Sequence, residues 1–360
     1  MKTRVVVLYG GRSAEREVSR VSAASILAAL DRDRYEPVLV HIDSNGQWLV
    51  AEEPTSLDAG ASSPFRTLPD VGVPAELVVS RPNALAEALG VDVVFPVLHG
   101  PYGEDGTIQG LLEMANVPYV GCGVLGSAVG MDKIMAKRAM IAAGLPVTGW
   151  IEHRAGRSMT ALQDEVERQF GYPCFVKPAN MGSSVGISRV TDASSFAAAV
   201  TEAERYDEWI LVEEGLHCPR EIEVGILGDE PPRASVPGEI RPGAEFYTYS
   251  DKYEADSAQL LVPAALDAFE TAKVEALAIA AFTACRLNAI ARVDCFLEEQ
   301  RADGGPGRGW FVNEVNTMPG FTSISMYPKL WEATGVSYTE LIDQLIALAF
   351  ERFGRRNNLL

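Results

Sequence analysis

The chain has 360 residues, 47% of them hydrophobic and 22% charged, which is typical of a globular enzyme of two or three domains. Its formal net charge of −18 repels polyphosphate and argues against a nucleic-acid partner, and no apolar segment reaches membrane-spanning length. Five scattered cysteines without a C-x-x-C pair argue against a disulfide framework or a zinc ribbon, so we expect a cytoplasmic protein with free thiols.

The first part of the chain alternates predicted strands and helices. TRVVVLYGG is a continuous apolar segment that predicts a central parallel strand, and apolar residues at helical spacing follow it. Further strands are predicted in YEPVLVHID, VDVVFPVLHG and VPYVGCG. This alternation predicts an α/β domain with a doubly wound parallel sheet. Residues 52–76 are rich in Pro, Ala, Ser and Gly, which predicts a surface excursion.

The second part predicts a smaller α+β unit. SAVGMDKIMAKRAMIAAG predicts one helix that ends at Gly144, and a further helix is predicted near residues 158–170. YPCFVKPANMGSSVGISRV predicts a hairpin with a Gly-Ser loop, and WILVEE predicts the strand that completes the unit.

The third part predicts another sheet, with a long polar loop beside it. Strands are predicted at 221–228, 290–298 and 310–316, and helices around 265–286 and at 338–353. The segment 238–259 is long, polar and aromatic, and loops of that length in compact domains are usually functional lids.

Two glycine patterns resemble motifs of other enzyme classes. GCGVLG at 121–126 matches the dinucleotide fingerprint, with Glu152 further on, but it follows several strands instead of opening a nucleotide fold. We therefore prefer a turn that needs small residues. GSSVG at 182–186 matches the nucleophile elbow, which requires a following helix, whereas the β-branched VGISRV predicts a strand. We therefore reject a hydrolase elbow.

Two predicted strands near the C-terminus carry polar side chains on one face. Side chains alternate along a strand, so ARVD places Arg292 and Asp294 together and NEVN places Glu314 and Asn316 together. The turn-rich connection predicts antiparallel neighbours. Two carboxylates and an amide suit Mg²⁺, whereas a salt bridge from Arg292 to one acid explains the same pattern without a metal. The cluster alone does not decide between these interpretations.

The Gly-Ser loop adds a predicted phosphate site. Glycine lets backbone N–H groups approach an anion closely, and Lys177 beside the loop supplies a point charge. This combination favours a phosphate loop over a simple surface turn and, with it, a metal at the carboxylates. Phosphate and Mg²⁺ together imply ATP. The backbone of residues 213–216 could then pair with adenine, and Glu221 with the ribose hydroxyls.

Eight segments together resemble the D-alanine–D-alanine ligases, a family of the ATP-grasp superfamily. In chain order they are GGRSAEREVS, LHGPYGEDGTIQG, GMDK, VKPANMGSSVG, REIEV, YSDKY, ARVD and NEVNTMPGFTSIS. The resemblance implies an α/β and α+β three-domain ATP-grasp ligase, with domains at 1–124, 125–213 and 214–360. It also implies formation of D-alanyl-D-alanine through an acyl phosphate, for peptidoglycan precursors and hence the cell wall and cell shape, by a cytoplasmic homodimer.

The resemblance also implies roles for individual residues. The catalytic groups would be Glu15, Ser183, Tyr253, Arg292 and Gly320. The ATP contacts would be Lys133, Lys177, Ser184, Glu213, Glu214, Leu216, Glu221, Lys252 and Asn313. The D-alanine contacts would be Glu15, His99, Lys252, Ser323 and Ser325. Two Mg²⁺ ions, or Mn²⁺ in their place, would be held by Asp294, Glu314 and Asn316.

Several of these residues have a plainer interpretation when taken singly. Glu15 could be an acid of a first helical turn, His99 a satisfied histidine at a strand end, and Tyr253 an aromatic that only packs. Their joint occurrence favours the functional set, in which Glu15, Ser183 and Tyr253 hydrogen-bond and fasten the lid. In the same scheme, Arg292 and the N–H of Gly320 form an oxyanion site.

Alternative functions remain open from the sequence. Related enzymes join D-alanine to D-lactate or to D-serine, and the segment around Tyr253 is where they differ. An NAD(P)-dependent oxidoreductase built on residues 121–126 is the alternative from another class. A nucleotide sensor without catalytic turnover is the third.

Overall fold

Three sheets organise the part of the chain that the computed structural model describes, which is residues 1–54, 67–75, 83–241, 259–322 and 324–359. Most of the predicted surface excursion at 52–76 and of the predicted lid at 238–259 lies outside these residues. No helix of the described ranges combines the length and the apolar composition needed to cross a lipid bilayer.

The N-terminal sheet is parallel at its centre. Its strands are β1 Thr3–Gly10, β2 Tyr35–Ile42, β3 Trp48–Ala51, β4 Val73–Pro74 and β5 Val93–Val97. Their order is β4-β3-β2-β1-β5, with β1 parallel to both β2 and β5 and with β3 and β4 added antiparallel. The apolar segment of β1 is fully buried, as a central parallel strand requires. The expected strand in VPYVGCG is reduced to one bridge between Tyr119 and Val94.

Helices α1 Arg16–Ala29, α2 Ala84–Leu89 and α3 Thr107–Met114 accompany this sheet. The next two helices are α4 Val124–Met131 and α5 Lys133–Ala142. The prediction of a single helix ending at Gly144 was therefore wrong. The side chain of Asp132 accepts hydrogen bonds from the N–H groups of Ile134 and Met135, so it caps α5 and ends α4.

The central unit is a small antiparallel sheet with helices on it. Its strands are β6 Trp150–Arg154, β7 Cys174–Pro178, β8 Ser188–Val190 and β9 Trp209–Glu214, in the order β6-β9-β7-β8. The hairpin β7–β8 encloses the Gly-Ser loop as predicted. Helices α6 Met159–Gln169 and α7 Ala193–Ala203 pack with these strands around a core of their own.

The C-terminal sheet is antiparallel. Its strands are β10 Arg220–Leu227, β11 Arg233–Ala234, β12 Gly238–Arg241, β13 Gln259–Leu261, β14 Ile290–Gln300 and β15 Pro306–Asn316. The order is β13-β12-β10-β14-β15, with β11 beside β10. Strands β14 and β15 are neighbours, as the turn-rich connection predicts, and their register skips Asn313. Such a bulge redirects side chains next to it.

The last helices connect the two ends of the chain. They are α8 Ala268–Ala284, α9 Met326–Ala333 and α10 Tyr338–Asn357. Leu341, Ile342 and Leu345 of α10 share one buried core with Val5 and Val7 of β1. Helix α10 therefore covers the N-terminal sheet, a contact that periodicity along the sequence does not reveal.

Candidate active site

Strands β14 and β15 bring the predicted metal ligands together. The register pairs Asp294 with Glu314 and Arg292 with Asn316, and Nδ2 of Asn316 lies 3.0 Å from an oxygen of Asp294. Arg292 binds both oxygens of Asp294 at 2.7 Å and reaches Glu223 at 3.1 Å. Burial opposes the charge of Arg292, but the two carboxylates outweigh it and hold its pKa well above the ordinary value.

The salt-bridge interpretation describes contacts that the structure contains. Arg292 forms ion pairs with Asp294 of its own strand and with Glu223 of β10. The same side chains supply two carboxylates and an amide oxygen on adjacent strands, a set of hard donors that fits Mg²⁺. Among the described residues, no three His, Cys, Asp or Glu side chains form a metal cluster, so the amide of Asn316 is needed for a third protein ligand.

Buried lysines face these carboxylates from the central unit. Lys133, at the start of α5, lies 4.0 Å from Glu314. Lys177, on β7, donates to Oε2 of Glu213, while Oε1 of Glu213 takes the ammonium group of Lys137 and the hydroxyl of Thr148. Burial alone would raise the pKa of Glu213, but the two ammonium groups reverse this and hold it below the ordinary value.

The Gly-Ser loop is a tight turn. Ser183, Ser184 and Gly186 all have positive φ, which is uncommon for serine, and the N–H of Val185 donates to the carbonyl of Gly182 at 3.1 Å. The carbonyl of Met181 accepts a hydrogen bond of 2.6 Å from Nζ of Lys133, which ties the loop to the cleft. Strand β8 follows the loop, so the rejection of a nucleophile elbow is confirmed.

The side chain of Glu15 joins the N-terminal domain to the Gly-Ser loop. Its carboxylate is buried and accepts a hydrogen bond from the hydroxyl of Ser183. Glu15 stands at the N-cap of α1, but its side chain makes no capping hydrogen bond. A role as an ordinary acid of the first turn therefore does not account for its position. A methyl group added to Gly182 would lie 2.8 Å from Glu15, so glycine permits this approach.

His99 holds a turn of the C-terminal domain against the N-terminal domain. One ring nitrogen lies 3.1 Å from the hydroxyl of Ser22 and the other 3.1 Å from the carbonyl of Met318. Burial lowers the pKa of His99, although the nearby Glu15 opposes this. With both nitrogens engaged, His99 positions the turn that carries Gly320.

Gly320 and Ser325 lie side by side after β15. A methyl group on Gly320 would approach the hydroxyl of Ser325 to 2.7 Å, so the site accepts only glycine without rearrangement. The hydroxyl of Ser325 accepts from the N–H of Thr322 at 3.0 Å and contacts the hydroxyl of Thr322 at 2.8 Å. Gly320, the predicted oxyanion donor, and Ser325, a predicted D-alanine contact, are thus neighbours.

The predicted adenosine contacts differ from one another in their surroundings. Strand β9 is paired on both sides, so the expectation of an exposed strand edge at 213–216 was wrong for Glu213 itself. Glu214 accepts from Nη1 of Arg308 at 2.7 Å, and Arg308 also binds the buried Glu298. Leu216 is half-buried after β9. Burial opposes the charge of Lys177, but Glu213 above all, and then Glu314 and Glu221 of β10, raise its pKa.

Lys252, Tyr253 and Ser323 lie outside the described residues. The alternative glycine motif at 121–126 proves to be a packing feature, since a methyl group on Gly126 would meet the carbonyl of Arg286 at 2.7 Å. The segment directly before it forms only one bridge, between Tyr119 and Val94, and is not a full strand of the parallel sheet. The dinucleotide fingerprint therefore lacks the strand–turn–helix context that it requires.

The sequence prediction omitted Glu104, Lys137 and Thr148, which belong to the same cleft. The N–H of Gly100 donates to Glu104 at 2.5 Å. Burial and the neighbouring Glu15 raise the pKa of Glu104 to about 8, against the opposing effect of Lys133. Glu104 stands in the motif LHGPYGEDGTIQG, which was the available signal, whereas Lys137 has the spacing of an ordinary helical lysine.

Comparisons with known proteins identify the family of the chain. The chain matches two family models, D-ala D-ala ligase N-terminus over residues 4–122 and D-ala D-ala ligase C-terminus over residues 139–347. The D-alanine–D-alanine ligase of Heliobacterium modesticaldum is 47% identical over 98% of this chain and 96% of that protein. The ligase of Streptomyces coelicolor is 47% identical, covering 97% of this chain and 93% of that protein.

Two solved structures also share the fold across the whole chain. The D-alanine–D-alanine ligase from Coxiella burnetii has a TM-score of 0.79 at 34% identity, covering 99% of this chain and 97% of that one. VanG D-Ala:D-Ser ligase from Enterococcus faecalis has a TM-score of 0.81 at 30% identity, covering 97% of this chain and 100% of that one. Matching family models along most of the sequence, together with these relatives, establish that the chain belongs to the D-alanine–D-alanine ligase family.

Proposed function

We propose that the protein joins two D-alanine molecules into D-alanyl-D-alanine at the expense of ATP, in the synthesis of peptidoglycan precursors. The observation that carries the proposal is the cleft in which Asp294, Glu314 and Asn316 stand opposite Lys133 and Lys177. An acid-rich wall facing a lysine-bearing wall suits a metal–polyphosphate complex, because each wall compensates one of its charges.

The carboxylate wall would hold magnesium. Asp294, Glu314 and Asn316 would supply oxygen ligands, and Asp294 would exchange part of its contact with Arg292 for the metal. Bound magnesium, or Mn²⁺ in its place, would neutralise charge on the phosphates during phosphoryl transfer. Arg292 would then be free to turn its guanidinium toward the reacting carboxyl group.

The lysine wall would bind the phosphates of ATP. Lys133 and Lys177 would contribute ammonium groups, and the loop around Ser184 would contribute backbone N–H groups. The adenosine would lie between β9 and β10, in reach of Glu213, Leu216 and Glu221, with Glu214 and Asn313 at the margin of this site. In this proposal, residues 125–213 and 214–360 form the two halves of the nucleotide site, and residues 1–124 form the domain that carries the first substrate.

The first D-alanine would bind at Glu15. This carboxylate can accept the ammonium group of the amino acid while it keeps its hydrogen bond to Ser183. Binding at this point orients the substrate carboxylate toward the phosphates, and orientation of this kind removes much of the entropic barrier. Tyr253 would complete the hydrogen-bonded set, and His99 would hold the adjoining turn.

The second D-alanine would bind near Ser325, with Ser323 and Lys252 contributing. Its amine would attack the acyl phosphate of the first substrate, forming the C–N bond and releasing phosphate. Arg292 and the N–H of Gly320 would stabilise the oxyanion that develops on the attacked carbonyl. One such donor contributes about 3–4 kcal/mol of transition-state stabilisation in other enzymes.

The decisive experiment measures phosphate release with ATP and each of D-alanine, D-serine and D-lactate as acceptor. We expect phosphate release and dipeptide formation with D-alanine, with a requirement for Mg²⁺ or Mn²⁺ that Glu314→Gln shifts to higher metal concentrations. D-lactate acting as the better acceptor at neutral pH would overturn the substrate assignment. ATP binding without turnover would favour a nucleotide sensor, and NADH binding without a response to ATP would favour an oxidoreductase.

D-serine is the second candidate acceptor. VanG, whose title describes a D-Ala:D-Ser ligase, shares the fold at a TM-score of 0.81. A kcat/KM for D-serine above that for D-alanine would assign the protein to that activity. We also propose that the protein acts in the cytoplasm as a homodimer, and sedimentation of the purified protein at several concentrations tests the dimer.

A further inference from the structure

A buried carboxylate in the ATP cleft is shared by two lysines. Glu213 is 2% exposed and Lys137 is also 2% exposed, so neither side chain has access to bulk water. The two oxygens of Glu213 are divided: Oε1 takes Lys137 and the hydroxyl of Thr148, and Oε2 takes Lys177. Nζ of Lys137 lies 3.1 Å from the same hydroxyl, which closes a ring of three side chains behind Lys177.

In the proposed function, Lys177 binds a phosphate of ATP in addition to pairing with Glu213. To bind a phosphate, its ammonium group must give up most of its contact with Oε2 of Glu213. A buried carboxylate that loses its only cation is strongly destabilised. Among the described residues, Lys137 is the other cation paired with Glu213, so the carboxylate remains compensated through Oε1 after Lys177 has moved.

We propose that Lys137 is a positioning residue for nucleotide binding: it holds Glu213 through Oε1, so that Lys177 can transfer its ammonium group from Glu213 to the nucleotide's phosphates. This inference rests on the proposed function, since it requires Lys177 to bind phosphate. Oε2 of Glu213, released by Lys177, is then left on the cleft side as a hydrogen-bond acceptor for the adenosine.

The position of Lys137 excludes a direct role as a phosphate ligand. It lies one turn after Lys133 on α5, and its ammonium group ends on Glu213 and Thr148, behind the carboxylate and away from Lys177. Burial lowers the pKa of Lys137, while the Glu213 carboxylate opposes the shift. A simpler role, anchoring α5 to β9, predicts lost stability without any selective effect on phosphate-bearing ligands.

The test compares the affinities for ATP and for adenosine by calorimetry in the presence of Mg²⁺. Lys137→Met keeps the length of the side chain and removes the charge. We expect this variant to lower the affinity for ATP about 10- to 100-fold and the affinity for adenosine less than about threefold, because only the phosphates require Lys177 to move. Arg352→Met is the matched control, since Arg352 is a buried cation that binds the carbonyls of Tyr119 and Gly121. The control should leave the ratio of the two affinities unchanged.

A second variant tests whether Lys137 acts through Glu213. In a Glu213→Gln background there is no carboxylate to compensate, so adding Lys137→Met should change ATP affinity less than about threefold. This double variant removes both buried charges together, which proteins tolerate far better than loss of one, so it keeps the test valid if Lys137→Met does not fold. A tenfold further loss of ATP affinity in the double variant would show direct action of Lys137 and overturn the inference.

The remaining outcomes separate this inference from the proposed function. If Lys137→Met lowers the affinities for ATP and adenosine equally, or lowers neither, while Lys177→Met still lowers the affinity for ATP, the role of Lys137 is overturned and the proposed function is not. A Lys177→Met variant that binds ATP as the wild type does would remove the phosphate role of Lys177, and with it both proposals.

Discussion

The cleft contains two clusters of carboxylates and basic side chains, and their net charges have opposite signs. In the central unit, Lys137 and Lys177 surround Glu213, which leaves one positive charge in excess. In the C-terminal sheet, Arg292 meets Asp294 and Glu223, and Lys133 lies 4.0 Å from Glu314, so one negative charge is in excess among these five side chains. Buried clusters that are not neutral are expensive to keep unless a ligand of opposite charge completes them. The difference in charge is the reason for proposing an anion at the first cluster and a cation at the second.

Removal of the Arg292 guanidinium from the acidic cluster gives the largest expected effect. Arg292→Met should lower kcat about 100- to 1000-fold, because it removes a donor to the oxyanion, and should change ATP affinity less than about threefold. Phosphate release and equilibrium binding of ATP measure the two quantities. Equal losses in both would contradict the oxyanion role and would make Arg292 part of the nucleotide site. Arg352→Met, which removes a buried arginine outside the cleft, provides the control.

The second largest effect is expected from loss of the hydrogen bond between Ser183 of the Gly-Ser loop and Glu15. Ser183→Ala removes a hydrogen bond to a buried carboxylate, and such bonds contribute about 1.5–3 kcal/mol. We therefore expect kcat/KM for D-alanine to fall about 10- to 100-fold. Glu15→Gln and the double variant complete a thermodynamic cycle, in which the two changes should be far from additive. Additive losses would mean that the two side chains act separately.

Glu104 should make the stability of the free protein depend on pH. Its pKa is raised to about 8, so the folded state retains a proton that the unfolded chain releases near pH 4.5. This group therefore lowers stability progressively as pH rises from about 4.5 to 8, and its effect is constant above that range. Glu104→Gln should remove the loss and be more stable than the wild type at pH 8.5, by about 1–3 kcal/mol. Denaturant unfolding at pH 5 and pH 8.5 measures the free energies of unfolding of both proteins. An equal difference between variant and wild type at the two pH values would refute the raised pKa.

Glu214 should give the smallest effect, although it neighbours Glu213. Its carboxylate binds Arg308 at a partly exposed position, where ion pairs contribute about 0–1 kcal/mol. We expect Glu214→Gln to change the KM for ATP less than about threefold and to leave kcat unaltered. Steady-state kinetics at varied ATP check this. A tenfold rise in KM would assign Glu214 to the adenosine site, as the resemblance implies.

The sequence was most informative where side chains follow the period of a single element. Alternation along β14 and β15 was enough to place Asp294, Glu314 and Asn316 on one face, because a strand exposes every second side chain to the same side. The hairpin around the Gly-Ser loop followed from its β-branched flanks. The helix boundary at Asp132 was missed although aspartate is a common N-cap, because the apolar period continues across it.

Contacts between distant parts of the chain were beyond local patterns. Glu15 meets Ser183 across 168 positions, and His99 meets Met318 across 219. Lys137 was missed for a related reason, since a lysine on a helix usually extends to solvent and only β9, 76 positions later, shows that this one is buried. The resemblance to a family supplied some of these partners, but periodicity could not.

The shared core of the two chain ends determines how the cleft can open. Phe321, Tyr327 and Trp331 pack in one cluster with β1 and α10, so we expect the N-terminal and C-terminal sheets to move together as one body. The small sheet β6–β9 encloses a separate core and is joined to that body mainly through α5, whose Ala136 and Met140 belong to the C-terminal cluster. Nucleotide exchange should therefore proceed by a swing of the small sheet about α5, with the Glu15–Ser183 contact breaking as the cleft opens.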